Sequence, residues 1–238
     1  MDTKTLQRAI ASIDSAVNPK NLTACKEALD RFVAECYNIN HPVMKQKTAE
    51  MIADVYYKLA ECYMNGLDIF GSLNCVLGCR RLHEMVPQSE HVAYQLLQTI
   101  AGLSYVKNTR KEDGMVDEYM DEVFELAEKF PQDAPIQRQA AMCIANLVAL
   151  CGGFDAPLSL AYGAVERMEE VAERLPRDSE LQNIFAHILI SACYFGDKTN
   201  NQARLTQFRT RLERLTKEKA AYVDLRAVRA HLSQVGLS

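Results

Sequence analysis

The chain has no tryptophan, few glycines and prolines (ten and seven in 238 residues), and no strict apolar–polar alternation beyond a few residues. Scarce helix breakers leave little room for disordered linkers, and the missing alternation argues against strands, so one continuous all-helical domain is expected over 1–238. No apolar run approaches the roughly 20 residues needed to cross a bilayer. The opening MDTKTLQRAIASIDSAV is amphipathic and carries acid, unlike a secretory signal; no membrane partner and a cytoplasmic location are expected. The motifs HExxH, GxxxxGK, GxSxG and DDxxD do not occur, and the five histidines are scattered, so no enzyme activity and no cofactor are expected. The eight cysteines lack the spacing of a disulfide scaffold and fall mostly on apolar helical faces, where a thiol packs as a small hydrophobe.

What the chain does have is a phrase written three times: HEMVPQSEHV at 83–92, EKFPQDAPIQ at 128–137 and ERLPRDSELQ at 173–182. In each copy a helical pattern ends at a proline (Pro87, Pro131, Pro176). A short polar residue follows two places on (Ser89, Asp133, Asp178), and an apolar residue stands five places after the proline (Val92, Ile136, Leu181). Proline lacks the N–H that would continue a helix, and Ser or Asp accepts from the free N–H groups that open the next, so each phrase is a stop followed by a start. The three prolines are 44 and 45 residues apart, and Pro42 lies 45 before Pro87. A fixed period of that size predicts stacked helical hairpins.

Apolar spacing places hairpins at about 3–37, 42–85, 88–130, 133–175 and 178–215, with a capping helix at 217–235. Asn21 is expected to cap the second helix, Asn65-Gly66 to stop the third, VKNTRKEDG at 106–114 to form a loop, and Gly152-Gly153 to turn. The fourth helix carries a stripe of small residues, Gly71, Cys75, Gly78 and Cys79, which predicts the close approach of another helix backbone. Cys75, Cys79 and His83 could also present two thiolates and an imidazole to zinc, but structural zinc sites use closely spaced cysteines at turns and a fourth ligand is missing, so no metal is expected.

The hairpins resemble tetratricopeptide repeats. The position ten after the repeat proline, small in that family, is Ala141 and Ala186, and Ala164, Met168 and Val171 before Pro176 are similar to the family's small and aromatic row. The repeat here is about 45 residues rather than 34, and the equivalent position after Pro87 is Leu97. The resemblance implies an all-α, right-handed α-α superhelix, a solenoid of about five hairpins with a C-terminal cap. It further implies a non-enzymatic protein-interaction module that binds a peptide or partner helix on its concave face. The groove positions it implies lie eight, twelve and fifteen after each proline. They are Gln95, Thr99 and Gly102; Gln139, Cys143 and Asn146; and Ile184, Ile188 and Ser191. Gln139 and Asn146 stand out as amides that need a partner, either a neighbouring helix or a ligand's backbone.

Charge supplies a different reading. Residues 198–238 carry nine basic against three acidic side chains, a net of +6, which leaves −10 on the rest. Arg204, Arg211, Arg214 and Lys217 could contact a polyanion, although an acidic chain with pI near 5.8 makes nucleic acid the less favoured partner. The same asymmetry would permit a head-to-tail homo-oligomer.

Overall fold

The computed structural model describes residues 2–110, 116–153, 158–198 and 202–220, with 223, 224, 226 and 228. Among the described residues are ten helices and no strand. They are α1 (Thr3–Ala16), α2 (Leu22–Tyr37), α3 (Pro42–Asn65), α4 (Ile69–Met85), α5 (Glu90–Arg110), α6 (Val116–Lys129), α7 (Ala134–Gly153), α8 (Leu158–Arg174), α9 (Ser179–Lys198) and α10 (Gln202–Glu218). No helix of the described residues is long and apolar enough to cross a membrane. The chain divides into two compact units, Met1–Arg110 and Lys111–Ser238.

In the first unit α3 is central. It packs against α1, α2, α4 and α5, so α1, α3 and α5 lie side by side while α2 and α4 form a second row. The small stripe of α4 does create a close approach, but to tyrosine rings rather than to a helix backbone. A Cβ on Gly71 would overlap ring carbons of Tyr63, and one on Gly78 would overlap ring carbons of Tyr56. Tyr56 is fully buried and donates its hydroxyl to Asp30 of α2 (2.9 Å), so one ring spans the row and is fixed at both ends. Flat rings need missing side chains opposite them, which is why glycine sits inside this helix despite its propensity cost of about 0.5–1 kcal/mol.

In the second unit α7 and α9 pack side by side, α6 and α8 pack against α7, and α9 packs against both α8 and α10. The repeated phrase works here as a double cap. Asp133 accepts the N–H of Ile136 (2.8 Å) and Asp178 that of Leu181 (3.0 Å). Ser89 does the same for Val92 in the first unit (3.2 Å). Each capping residue also donates its own N–H to the carbonyl before the proline, at Phe130, Leu175 and Val86. The glutamine ending the second and third copies secures the helix that went before: Gln137 Nε2 donates to the carbonyls of Ala127 (2.7 Å) and Phe130 (2.8 Å). Gln182 does likewise to Ala172 (2.8 Å) and Leu175 (3.3 Å). The orphan carbonyls of one helix and the orphan N–H groups of the next are thus satisfied within one ten-residue phrase.

Several helix ends differ from expectation. α5 continues through residues 106–110, expected as loop, because Val106 is fully buried and extends the apolar face. Gly152 and Gly153 close α7 rather than forming a turn beyond it. Asn21 makes no side-chain cap; its Nδ2 donates to the carbonyl of Ala16 (2.6 Å) and ties α2 back to α1. After α3 it is Leu67, not Gly66, that takes the left-handed conformation, with φ 52°. α10 extends to Glu218, so Lys217 lies in its last turn rather than opening a cap. Most of the expected capping helix, 217–235, lies outside the described residues, but Val223 and Val228 are buried and the N–H of Asp224 donates to Asn183 Oδ1 of α9 (2.6 Å).

Candidate functional site

Helical geometry fixes which residues of α5, α7 and α9 can face a ligand. The three positions twelve after the repeat prolines, Thr99, Cys143 and Ile188, are all buried to 1% exposure or less, so they point into the helix packing. Thr99 bonds the carbonyl of Leu96 (2.8 Å) and Cys79, and is not a groove residue. Gln95 is also buried and donates to Asp54 of α3 (2.8 Å). The accessible position is eleven after each proline: Gln98, Met142 and His187. A period of 3.6 residues puts eleven and twelve on opposite edges of the same stripe, and the apolar Cys143 and Ile188 at twelve were the signal that this edge is internal.

On α7 the corrected stripe runs Pro135, Gln139, Met142, Asn146 and Ala149. Gln139 and Asn146 are half-buried, and neither has a hydrogen bond or ion pair among the described residues. Met142 stands between them at 43% exposure, a large apolar side chain left open. Alongside, α9 presents Glu180, Asn183, His187 and Ser191. The Ser191 hydroxyl donates to the carbonyl of His187 in its own helix (3.0 Å).

The face is also unusual in its charge. From Gln139 to Gly153 α7 has no Asp, Glu, Lys or Arg, and neither has α9 from Leu181 to Gly196. Among the described residues the ion pairs of α7 are at its start, from Arg138 to Asp178 and to Glu180. Arg138 forks onto Asp178 with bonds of 2.7 and 2.9 Å to Oδ2 and 3.0 Å to Oδ1, locking α7 to the cap of α9. Burial pulls the Asp178 carboxyl upward, but the bonds from Arg138 and from the N–H of Leu181 outweigh it and hold the group below its ordinary value.

The basic residues of α10 are placed differently from a polyanion site. Arg204 pairs with Glu166 of α8 (3.1 Å), Arg211 with Glu169 (3.5 Å), and Arg214 also with Glu169. Lys217 is exposed in the last turn. Three of the four cations thus face acid on the neighbouring helix. Cys75 and Cys79 are fully buried. Burial pushes the Cys79 thiol up to about 12, against the bond from Thr99, and raises Cys75 well above its ordinary value. Among the described residues no group of three or more His, Cys, Asp or Glu side chains is arranged to hold a metal ion. Neither a protein-family model nor a curated protein nor a solved structure matches the chain.

Proposed function

We propose that the chain is a non-enzymatic protein-interaction module, built as a tetratricopeptide-like stack of long hairpins, whose α7–α9 face binds an uncharged segment of a partner protein. The observation that carries this is the pair of half-buried amides, Gln139 and Asn146, without partners among the described residues, on either side of exposed Met142. A primary amide donates and accepts, as a peptide group does, so it suits a ligand's backbone. Seven residues along a helix span about 10 Å and return to the same face. A polyproline-like extended segment repeats its orientation every three residues, about 9 Å, so successive carbonyls on one side of such a segment fall opposite the two amides. Met142 adapts its unbranched side chain to what lies between.

The charge-free surroundings define the partner as much as the amides do. A charged segment would lose hydration against this face and find no counter-ion along most of either helix. Polyanion binding through Arg204, Arg211, Arg214 and Lys217 is the weaker reading, because three of those cations already face Glu166 and Glu169.

A photo-crosslinking residue placed at Met142 tests the reading, with the same residue at exposed Glu173 of α8 as control. The expected result is a protein adduct at 142 that disappears in the Gln139→Ala, Asn146→Ala background. Equal adducts at 142 and 173, or adducts indifferent to the two substitutions, would count against it.

A further inference from the structure

We propose that the first unit carries a second recognition surface, independent of the α7–α9 face, which takes an arginine side chain of a partner protein into the cleft between α1 and α3. The cleft has a volume of about 350 Å³. It is lined by apolar and aromatic side chains, Ile10, Met51 and Tyr57, which serve as the floor in this proposal, and by Asp14, Asp54 and Glu61, which serve as the rim. That division matches an arginine along its length: the methylene stem lies on the floor, the planar guanidinium stacks over the tyrosine ring, and its fork of donors meets carboxylates.

The charge on the rim stays negative after internal contacts are made. Asp54 Oδ1 accepts from Gln95 (2.8 Å) and from the His91 ring (2.6 Å), and Glu61 accepts the Tyr57 hydroxyl (2.8 Å). Gln95 and Tyr57 are uncharged donors, so they orient the carboxylates without neutralising them, and His91 offsets Asp54 only when its ring is protonated. The full cation at the rim is Lys58, whose ammonium lies 2.5 Å from Asp14 Oδ1. That oxygen is itself buried and has no hydrogen bond beyond the ion pair. Lys58 shows what the rim selects: a cation on a flexible stem. With its side chain 47% exposed, it can swing into water and yield its place. An arginine from outside would exchange one single-point contact for several, with the tyrosine ring added.

The probe is N-acetyl-arginine methylamide, with the uncharged N-acetyl-citrulline methylamide as its shape control, titrated into the full chain while the methionine methyl signals are followed by NMR. The arginine compound should shift the Met51 methyl saturably, and the citrulline compound should not. Glu61→Gln should weaken the arginine compound. Lys58→Met should strengthen it by about fivefold, because a competing ammonium is removed. Unchanged or weaker binding in Lys58→Met would overturn the proposal, since it would make Lys58 part of a closed internal ion pair. Equal shifts from the two compounds would overturn it as well. The Gln139→Ala, Asn146→Ala variant should bind the probe as the wild type does, which separates this surface from the one on α7 and α9.

Discussion

Adding one methyl group to a helix glycine should have opposite effects in α4 and α8. At Gly78 the new Cβ would overlap ring carbons of Tyr56, which is fully buried and tied by its hydroxyl to Asp30. The ring cannot move aside without breaking that bond, so Gly78→Ala faces an overpacking cost of about 1–3 kcal/mol. Losing the buried hydroxyl bond adds about 1–2 kcal/mol if the ring shifts. Against these stands the helix gain from Gly to Ala, about 0.5–1 kcal/mol. The net is a loss of about 2 kcal/mol, or roughly 4–8 °C in melting temperature for a chain of this size. At Gly163, in the middle of α8, no atom lies within 4 Å of the added Cβ, so only the helix gain remains and Gly163→Ala should raise stability by about 0.5–1 kcal/mol. Thermal and urea unfolding of both variants, followed by circular dichroism, reads the two signs. Gly78→Ala melting at or above the wild type would refute the ring-against-glycine account. A matched change in the two variants would do the same.

Other expectations follow from the caps and thiols. Gln137→Ala should cost about 1–3 kcal/mol, because a buried donor serving the carbonyls of Ala127 and Phe130 is removed; urea unfolding checks it. Asp178→Asn keeps the cap but removes the ion pair with Arg138, and should cost about 1 kcal/mol near neutral pH. Because the folded Asp178 carboxyl lies below its ordinary value of 3.8, its contribution is complete above that value and is lost as pH falls through the lower folded one. The difference between wild type and Asp178→Asn should therefore begin to shrink as pH falls below about 4 and vanish only below the lower folded value. Of the eight cysteines, Cys62 alone is half-exposed and the other seven are buried, so a thiol reagent should modify Cys62 first in the native protein, as peptide mapping would show.

The repeated phrase made the helical plan legible because its chemistry is local. Pro87, Pro131 and Pro176 stop helices whatever surrounds them, and Ser89, Asp133 and Asp178 cap the helices that follow through bonds only three residues long. Gln137 and Gln182 were equally local and equally repeated, yet their role depends on reaching back to a helix already finished, which spacing alone does not reveal. The face residues were only partly legible. Gln139 and Asn146 are half-buried, with no side-chain hydrogen bond to a described residue. Thr99 is fully buried, and a one-residue difference on a helix, 100° of rotation, likewise separates exposed Met142 from buried Cys143. The small stripe implies the close approach of a helix backbone, but what lies nearest to Gly71 and Gly78 are the rings of Tyr63 and Tyr56 from a different helix. The pairing of the α10 arginines with Glu166 and Glu169 lies about 40 residues away in sequence and has no periodic signature at all.

The most direct test of the α7–α9 face is the affinity of an uncharged peptide for it. Peptides of twelve residues without Asp, Glu, Lys or Arg would be selected by display on the full chain. Their binding would then be measured by titration calorimetry to the wild type and to Gln139→Ala, Asn146→Ala. Two lost hydrogen-bonding amides predict a drop in affinity of about tenfold or more, with the melting temperature unchanged because both side chains are half-exposed and unpaired. Selected peptides that bind both proteins equally well would contradict the assignment of this face.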